Sequence, residues 1–190
     1  MIKKVLSIAL AAAFAAGSAQ AASFVNGDFE AGNLSGWTGG GGSWYGGGAP
    51  VNPTVYNGGP ANNTVTNVGV DAITGAATTY GGSAHAVRVN DSYNNYSVST
   101  LRQSVSNYTD SSIFFAWNAV LDSSHGLTDS DYFSLTLVDN TANTTLVSRA
   151  YSSAGAIGAG ATGVTWTNIG GWFTSGWVVE RIDLVALGAV

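Results

Sequence analysis

The 190-residue sequence contains no cysteine, so no disulfide bond holds its fold together. Lysine occurs only at Lys3 and Lys4, which leaves four arginines against eleven acidic residues in the rest of the chain. So few cations cannot form the basic stripe that nucleic acid or an anionic membrane surface requires, and neither is expected as a partner. The fold must therefore depend on a hydrophobic core, and the chain is long enough for one domain with such a core.

The N-terminus has the three parts of a cleavable export signal. Two lysines give the positive start, residues 5–17 form an apolar run that is short for a membrane span, and the Ala-Gln-Ala sequence at 19–21 has the pattern of a cleavage site. We predict a signal peptide over residues 1–21, a single mature domain over residues 22–190, and secretion to the extracellular space or cell surface. No second apolar run of membrane length follows, so the mature chain is not expected to insert into a membrane.

The composition favours β structure, because glycine, serine, threonine and asparagine are abundant and the larger apolar residues occur in short runs. Residues 132–138 alternate between apolar and polar, which predicts a strand with one exposed face. Residues 111–121 are apolar on both alternating faces and predict a strand buried on both sides. Further predicted strands cover residues 24–30, 84–90, 98–105, 144–151 and 176–187. Together they predict an all-β fold, a two-sheet antiparallel β-sandwich.

The mature chain opens with Asn-Gly-Asp-Phe-Glu at residues 26–30, followed by Gly-Trp at residues 36–37. This opening resembles exported galactose-binding-like modules, a jelly-roll fold that is common among carbohydrate-binding modules. Residues 84–90, 98–105, 115–117, 123–126 and 131–135 are similar to the middle of exported proteins that end in a PEP-CTERM sorting tail. The resemblance implies a jelly-roll sandwich that accompanies extracellular polysaccharide and binds carbohydrate.

The proteins that this chain resembles continue with one more strand, a Val-Pro-Glu-Pro motif, a membrane segment and a basic end. The sequence given stops at Val190 without them. We expect either a released protein or a sandwich that lacks its last strand, and we favour the second. A missing last strand would leave the edge of its neighbour unpaired.

Asp28 and Glu30 are two residues apart on the predicted first strand and therefore point to the same side of it. In related carbohydrate-binding modules the glutamate of this motif helps to hold a structural calcium ion, so the resemblance nominates Glu30, with Asp28 beside it, as calcium ligands. The aspartate that completes such a site lies on the last strand of those modules and has no counterpart here. The alternative is an exposed pair of carboxylates beside a turn.

Trp44 and Tyr45 stand within a glycine-rich run from Gly39 to Gly48, a segment that needs tertiary contacts to become ordered. The two rings have three alternative roles. They anchor a mobile loop to the core, they form an exposed platform that stacks on a sugar ring, or they belong to a disordered segment. We favour the anchor and keep the platform as the functional hypothesis.

A second candidate ligand site is the polar loop over residues 122–131, which contains Asp122, His125, Asp129 and Asp131. These side chains are suited to bind calcium or the hydroxyls of a sugar, although their spacing differs from that of an EF-hand loop. The alternative that we favour is a solvated loop, since aspartate, serine and glycine form turns for purely local reasons.

Three other patterns have simpler explanations. Residues 158–163 match the Gly-x-Gly-x-x-Gly fingerprint of dinucleotide-binding proteins, but strand and turn residues follow where that site needs a helix. His85 lies on a strand face with two valines, as a core histidine does. The remaining tryptophans are expected mainly in the core, with a ligand face as the alternative for the last two; they are Trp37, Trp117, Trp166, Trp172 and Trp177.

We therefore expect a non-catalytic exported protein of the cell surface or extracellular matrix that binds polysaccharide or a cell-surface glycan. The first alternative is a structural matrix protein without a specific ligand. The second is a glycan-active hydrolase, which would need two carboxylates across a cleft, such as Asp28 and Asp131. Calcium is the only cofactor expected.

Overall fold

The computed structural model describes residues 23–45, 61–91, 96–122, 130–154 and 163–190. Nearly all regular structure in these ranges is β, and every strand pairing is antiparallel, which confirms the predicted all-β class. In chain order the strands are β1 (Thr38–Ser43), β2 (Asn63–Asn67), β3 (His85–Val89), β4 (Ser97–Arg102), β5 (Ser112–Trp117), β6 (Val120–Asp122), β7 (Tyr132–Asp139), β8 (Thr144–Ser152), β9 (Thr167–Ile169), β10 (Trp172–Thr174) and β11 (Val178–Asp183).

The strands pair as β1 with β4, β2 with β3, β5 with β11, β7 with β8, and β6 with β10, which also pairs with β9. Exposed and half-buried residues alternate along the whole of β7, as its sequence predicts. The predicted strands over residues 84–90, 98–105, 144–151 and 176–187 are also present, with shorter bounds at most ends. Strand β9 follows the glycine fingerprint of residues 158–163, so the helix of a dinucleotide site is not formed there.

The core lies between the β5–β11 pair and the β7–β8 pair. One cluster contains Trp117, Ala119, Leu121 and Tyr151, and the other contains Val147, Ile182 and Leu184. Phe115 packs against both clusters and joins them. Covered and exposed residues largely alternate along β11, whereas β8 buries Val147 and Tyr151 with three exposed residues between them.

The prediction of one strand over residues 111–121, buried on both faces, is wrong in two respects. The ladder between β5 and β11 ends at Trp117, and the chain then changes partner to pair with β10 as β6. The change is held by Ala119, whose N–H donates to Ser175 Oγ at 2.9 Å and whose carbonyl accepts the N–H of Ser175 at 3.1 Å. The outer face of β5 is also open, since Phe114 is 67% exposed.

The predicted first strand over residues 24–30 is wrong as well, because the opening motif forms turns. Asn26 and Phe29 have φ of 50° and 61°, in the left-handed region that an extended strand does not use. The Trp37 indole donates to the carbonyl of Asn26 at 3.0 Å and stacks on Phe29 with ring centroids 5.2 Å apart. The motif therefore folds as a compact turn around its own tryptophan.

Strand β1 was not predicted, since four of its six residues are glycines. Gly39 shows how tertiary contacts order this run: a Cβ there would lie 3.2 Å from both Ala61 Cβ and Asn63 Nδ2. Only glycine lets β2 approach β1 this closely, and Asn63 Nδ2 in turn donates to the carbonyl of Thr100 on β4 at 2.8 Å. Pairing with β4 and contact with β2 together hold the glycines extended.

Substitution of Gly39 by alanine should therefore lower the free energy of unfolding by about 1 kcal/mol or more, through crowding against Ala61 and Asn63. Gly69 is the matched control, because its nearest contact to an added Cβ is an ordinary 3.6 Å. Gly69→Ala should be neutral or slightly stabilising, since it restricts the unfolded chain. Denaturant unfolding of both variants checks this, and equal effects would contradict the close approach.

Candidate functional site

Two exposed tyrosines meet where the β1–β4 ladder ends. The last pair of that ladder is Ser43 with Ser97, and one further hydrogen bond extends it, from the Trp44 N–H to the carbonyl of Tyr96 at 2.9 Å. The rings of Tyr45 and Tyr96 lie 5.0 Å apart at an interplanar angle of 44°. Tyr45 is 77% exposed and Tyr96 is 49% exposed. The pair thus presents two phenol rings to solvent from neighbouring strand ends.

The backbone and the neighbouring side chains hold Tyr96 in this position. Its φ of 59° lies in the left-handed region, which is strained for an aromatic residue. The next residue, Ser97, is fixed by Asn90, whose Nδ2 donates to its carbonyl at 3.0 Å and whose Oδ1 accepts its hydroxyl at 2.8 Å. Asn62 in turn donates its amide to the Asp91 carboxylate. The two bonds from Asn90 fix the start of β4, directly after Tyr96.

Of the predicted platform residues, Tyr45 is exposed and Trp44 is half-buried. One ring is therefore partly covered while the other faces solvent, and the platform stays a hypothesis. Tyr96 was missed, since its strand is far away in sequence and no local pattern links it to Tyr45. Only the register of β1 against β4 brings the two together.

Asp28 and Glu30 do not lie side by side on a strand, because their segment forms turns. The Glu30 carboxylate accepts the backbone N–H groups of Ala84 at 3.3 Å and His85 at 3.2 Å, and so fastens the opening turn to the start of β3. Asp28 Oδ1 accepts the N–H of Glu30 at 3.2 Å. In the ranges that the structure describes, no three acidic, histidine or cysteine side chains are grouped closely enough to hold a metal ion. Calcium at Glu30 stays a prediction.

The polar loop over residues 122–131 is described only at its ends. The Asp122 N–H donates to Asp131 Oδ2 at 2.8 Å, and the Asp131 carbonyl accepts the N–H of Ser153 at 3.1 Å. His125 and Asp129 lie outside the described residues. Asp131 therefore joins the two ends of the loop and links them to the end of β8.

The other tryptophans mostly pack within the protein. Trp117 is 7% exposed and Trp166 packs on the same core cluster. Trp37 is enclosed by the opening turn. The Trp177 indole donates to the Ala77 carbonyl at 2.9 Å, and its half-buried ring lies beside an exposed tyrosine. Trp117 and Trp166 therefore belong to the core, whereas Trp37 and Trp177 are half-buried outside the two core clusters.

An ion pair between the two main sheets was missed from the sequence. Arg149 Nε on β8 lies 3.4 Å from Glu180 Oε2 on β11, and the other carboxylate oxygen of Glu180 accepts the Trp117 indole N–H at 3.1 Å. Burial raises the pKa of the nearby Tyr151 phenol; the negative charge of Glu180 raises it further and Arg149 opposes this. Each charged residue has the same strand parity as core residues, Arg149 as Val147 and Tyr151 on β8 and Glu180 as Ile182 on β11.

This cluster is suited to hold two sheets together. A phenol with a raised pKa stays protonated and is a poor general base near neutral pH. Glycoside hydrolysis uses two carboxylates across a cleft, whereas here Glu180 is already bonded on both oxygens. The arrangement thus stabilises the sandwich interior.

No protein-family model matches the chain, and no curated protein or solved structure is significantly similar to it. Among the described residues, no helix has the length and apolar character needed to cross a membrane.

Proposed function

We propose that the protein is an exported, non-catalytic carbohydrate-binding protein whose ligand stacks on Tyr45 and Tyr96. The observation that supports this most directly is the exposure of two rings 5.0 Å apart at the end of a strand pair. An aromatic face is complementary to the apolar face of a sugar ring, and each tyrosine adds a hydroxyl that binds sugar hydroxyls. The bonds from Asn90 fix the backbone next to Tyr96, which reduces the entropy that this segment loses on binding.

The charge balance selects the class of polysaccharide. After removal of the proposed signal peptide, four arginines oppose eleven acidic residues, so the mature chain is strongly anionic. Anionic polymers would be repelled at low ionic strength. A neutral extracellular polysaccharide is therefore the proposed partner, in agreement with the resemblance to jelly-roll proteins that carry PEP-CTERM tails. The jelly-roll connectivity and the matrix location belong to the same proposal.

Removal of either ring should weaken glycan binding while leaving the fold intact. We expect Tyr45→Ala and Tyr96→Ala each to lose roughly 1 kcal/mol of binding free energy, about fivefold in affinity, since both rings are exposed. Affinity electrophoresis through gels containing neutral polysaccharides measures the loss, and thermal melts check folding. Tyr132→Ala is the matched control, because Tyr132 is 39% exposed at the start of another strand. Unchanged retention of the first two variants, or a large drop in their stability, would contradict the proposal.

A further inference from the structure

The outer face of the β5–β11 pair presents another exposed aromatic ring, which lies beside a guanidinium group. Phe114 is 67% exposed in the middle of β5. Arg181 is its register partner on β11 and places its guanidinium carbon 5.8 Å from the centre of the ring. Val179 lies two residues before Arg181 on the same face and is 51% exposed. This face therefore combines apolar surface with a hydrogen-bond donor of fixed, planar shape.

A shallow hollow that is largely open to solvent lies next to this ring. It is lined by Tyr108, Asp110, Ser111, Ser112, Phe114 and Arg181. The Arg181 guanidinium donates hydrogen bonds, the Asp110 carboxylate accepts them, and a serine hydroxyl can do both. Ser112 Oγ is enclosed and has no hydrogen-bond partner among the described residues.

The charges around the hollow indicate which ligand fits. Arg181 Nη1 lies 3.5 Å from Asp183 Oδ2, so the cation is already paired with an acid. Asp110, which also lines the hollow, adds a second negative charge. One cation beside two anions disfavours an anionic ligand. A molecule that needs both donors and acceptors, together with an apolar face, is better matched.

We propose that this face is a second carbohydrate site, which binds a neutral sugar residue. Phe114 stacks on the apolar face of the sugar, while Arg181 and Asp110 hydrogen-bond to its hydroxyls. The inference rests on the proposed function and extends it, because this site lies on a different strand pair from Tyr45 and Tyr96. Two sites on one chain make the protein bivalent, so that it holds one polysaccharide more tightly or connects two chains.

The test uses the mature chain in affinity gels that contain dextran, laminarin or galactomannan. On a gel that retards wild type, Phe114→Ala and Arg181→Gln should each lower the affinity for the polysaccharide about fivefold. This is the loss expected for one stacking ring or one oriented hydrogen-bonding group. The controls are Val185→Ala, which removes an apolar side chain that is 59% exposed elsewhere, and Arg88→Gln, which removes an exposed charge from β3. Both controls should run as wild type.

The second arm distinguishes the two sites. The Tyr45→Ala/Tyr96→Ala double variant should keep weak retention, which the addition of Phe114→Ala abolishes. If Phe114→Ala and Arg181→Gln are both retained as strongly as wild type, the proposal of a second site is wrong. The proposal of a site at the two tyrosines is not affected by that result. A wild-type protein that none of the gels retards would overturn both proposals. Near-ultraviolet circular dichroism confirms that each variant is folded, which is expected since both positions are on the surface.

Discussion

Replacement of Trp117 by alanine is expected to lower the free energy of unfolding by about 3 to 5 kcal/mol, the largest effect of a single substitution in this protein. The side chain is 7% exposed and packs on Phe133 and Tyr151, with ring centroids 5.0 and 5.1 Å away. These partners belong to the opposite sheet, so the cavity left by truncation can close only if the sheets shift together. Chemical denaturation followed by circular dichroism measures the loss.

Two further variants separate the causes of that loss. Trp117→Phe keeps an aromatic ring but removes the indole N–H that donates to Glu180. Its free energy of unfolding should therefore lie between those of wild type and Trp117→Ala. Trp177→Ala is a matched control, since this half-buried tryptophan lies outside the two core clusters. A loss in Trp117→Ala that is no greater than in the control would show that the core does not lie between these sheets.

Replacement of Glu180 by alanine is expected to cost about 1 to 3 kcal/mol, because it leaves the Trp117 N–H buried without an acceptor and deprives Arg149 of its partner. The Arg149 side chain is 42% exposed and can turn toward water, which keeps the cost below that of breaking a fully buried pair. Arg149→Gln removes the cation but leaves the bond from Trp117 in place, so it should cost less. Unfolding in urea compares the two, and equal losses would contradict the dual role of the carboxylate.

The charge of Glu180 also affects how the stability of the fold changes at high pH, through the pKa of Tyr151. The folded-state pKa of Tyr151 lies above its ordinary value of 10.0, first through burial and then through Glu180. Because the pKa is raised, the stability that the neutral phenol contributes is complete below pH 10 and is lost as the pH rises through the folded-state pKa. Glu180→Gln should therefore lose less stability than wild type above pH 10. Tyr108, whose pKa is raised by burial and by Asp110, contributes a decline that is the same in both proteins.

Local patterns in the sequence were sufficient where one face of a strand is apolar and the other polar. Residues 132–138 alternate in this way, and β7 forms there with that alternation of burial. The scarcity of cations likewise restricts the partners without any knowledge of the fold. Both conclusions depend on properties of neighbouring residues or of the whole composition.

The same reasoning was wrong where the local pattern permits more than one outcome. Residues 24–30 were expected to form a strand, but Asn26 accepts hydrogen bonds from the Trp37 indole and the Ala31 N–H, which favour a turn. The glycines of β1 have no apolar face at all, and become a strand only because β4 and β2 supply contacts. Neither outcome can be deduced from the segment alone, because the deciding atoms lie elsewhere in the chain.

The sequence by itself determined that this is an all-β protein with few cations, an apolar core and aromatic residues near glycine-rich segments. The tertiary structure decided which face of β5 is buried, and therefore that Phe114 is exposed beside Arg181. It also decided that Tyr45 lies beside Tyr96 and that Glu180 joins Arg149. The physical reason is that alternation fixes two opposite faces of a strand, whereas the partners of each face depend on registers between strands that are distant in sequence.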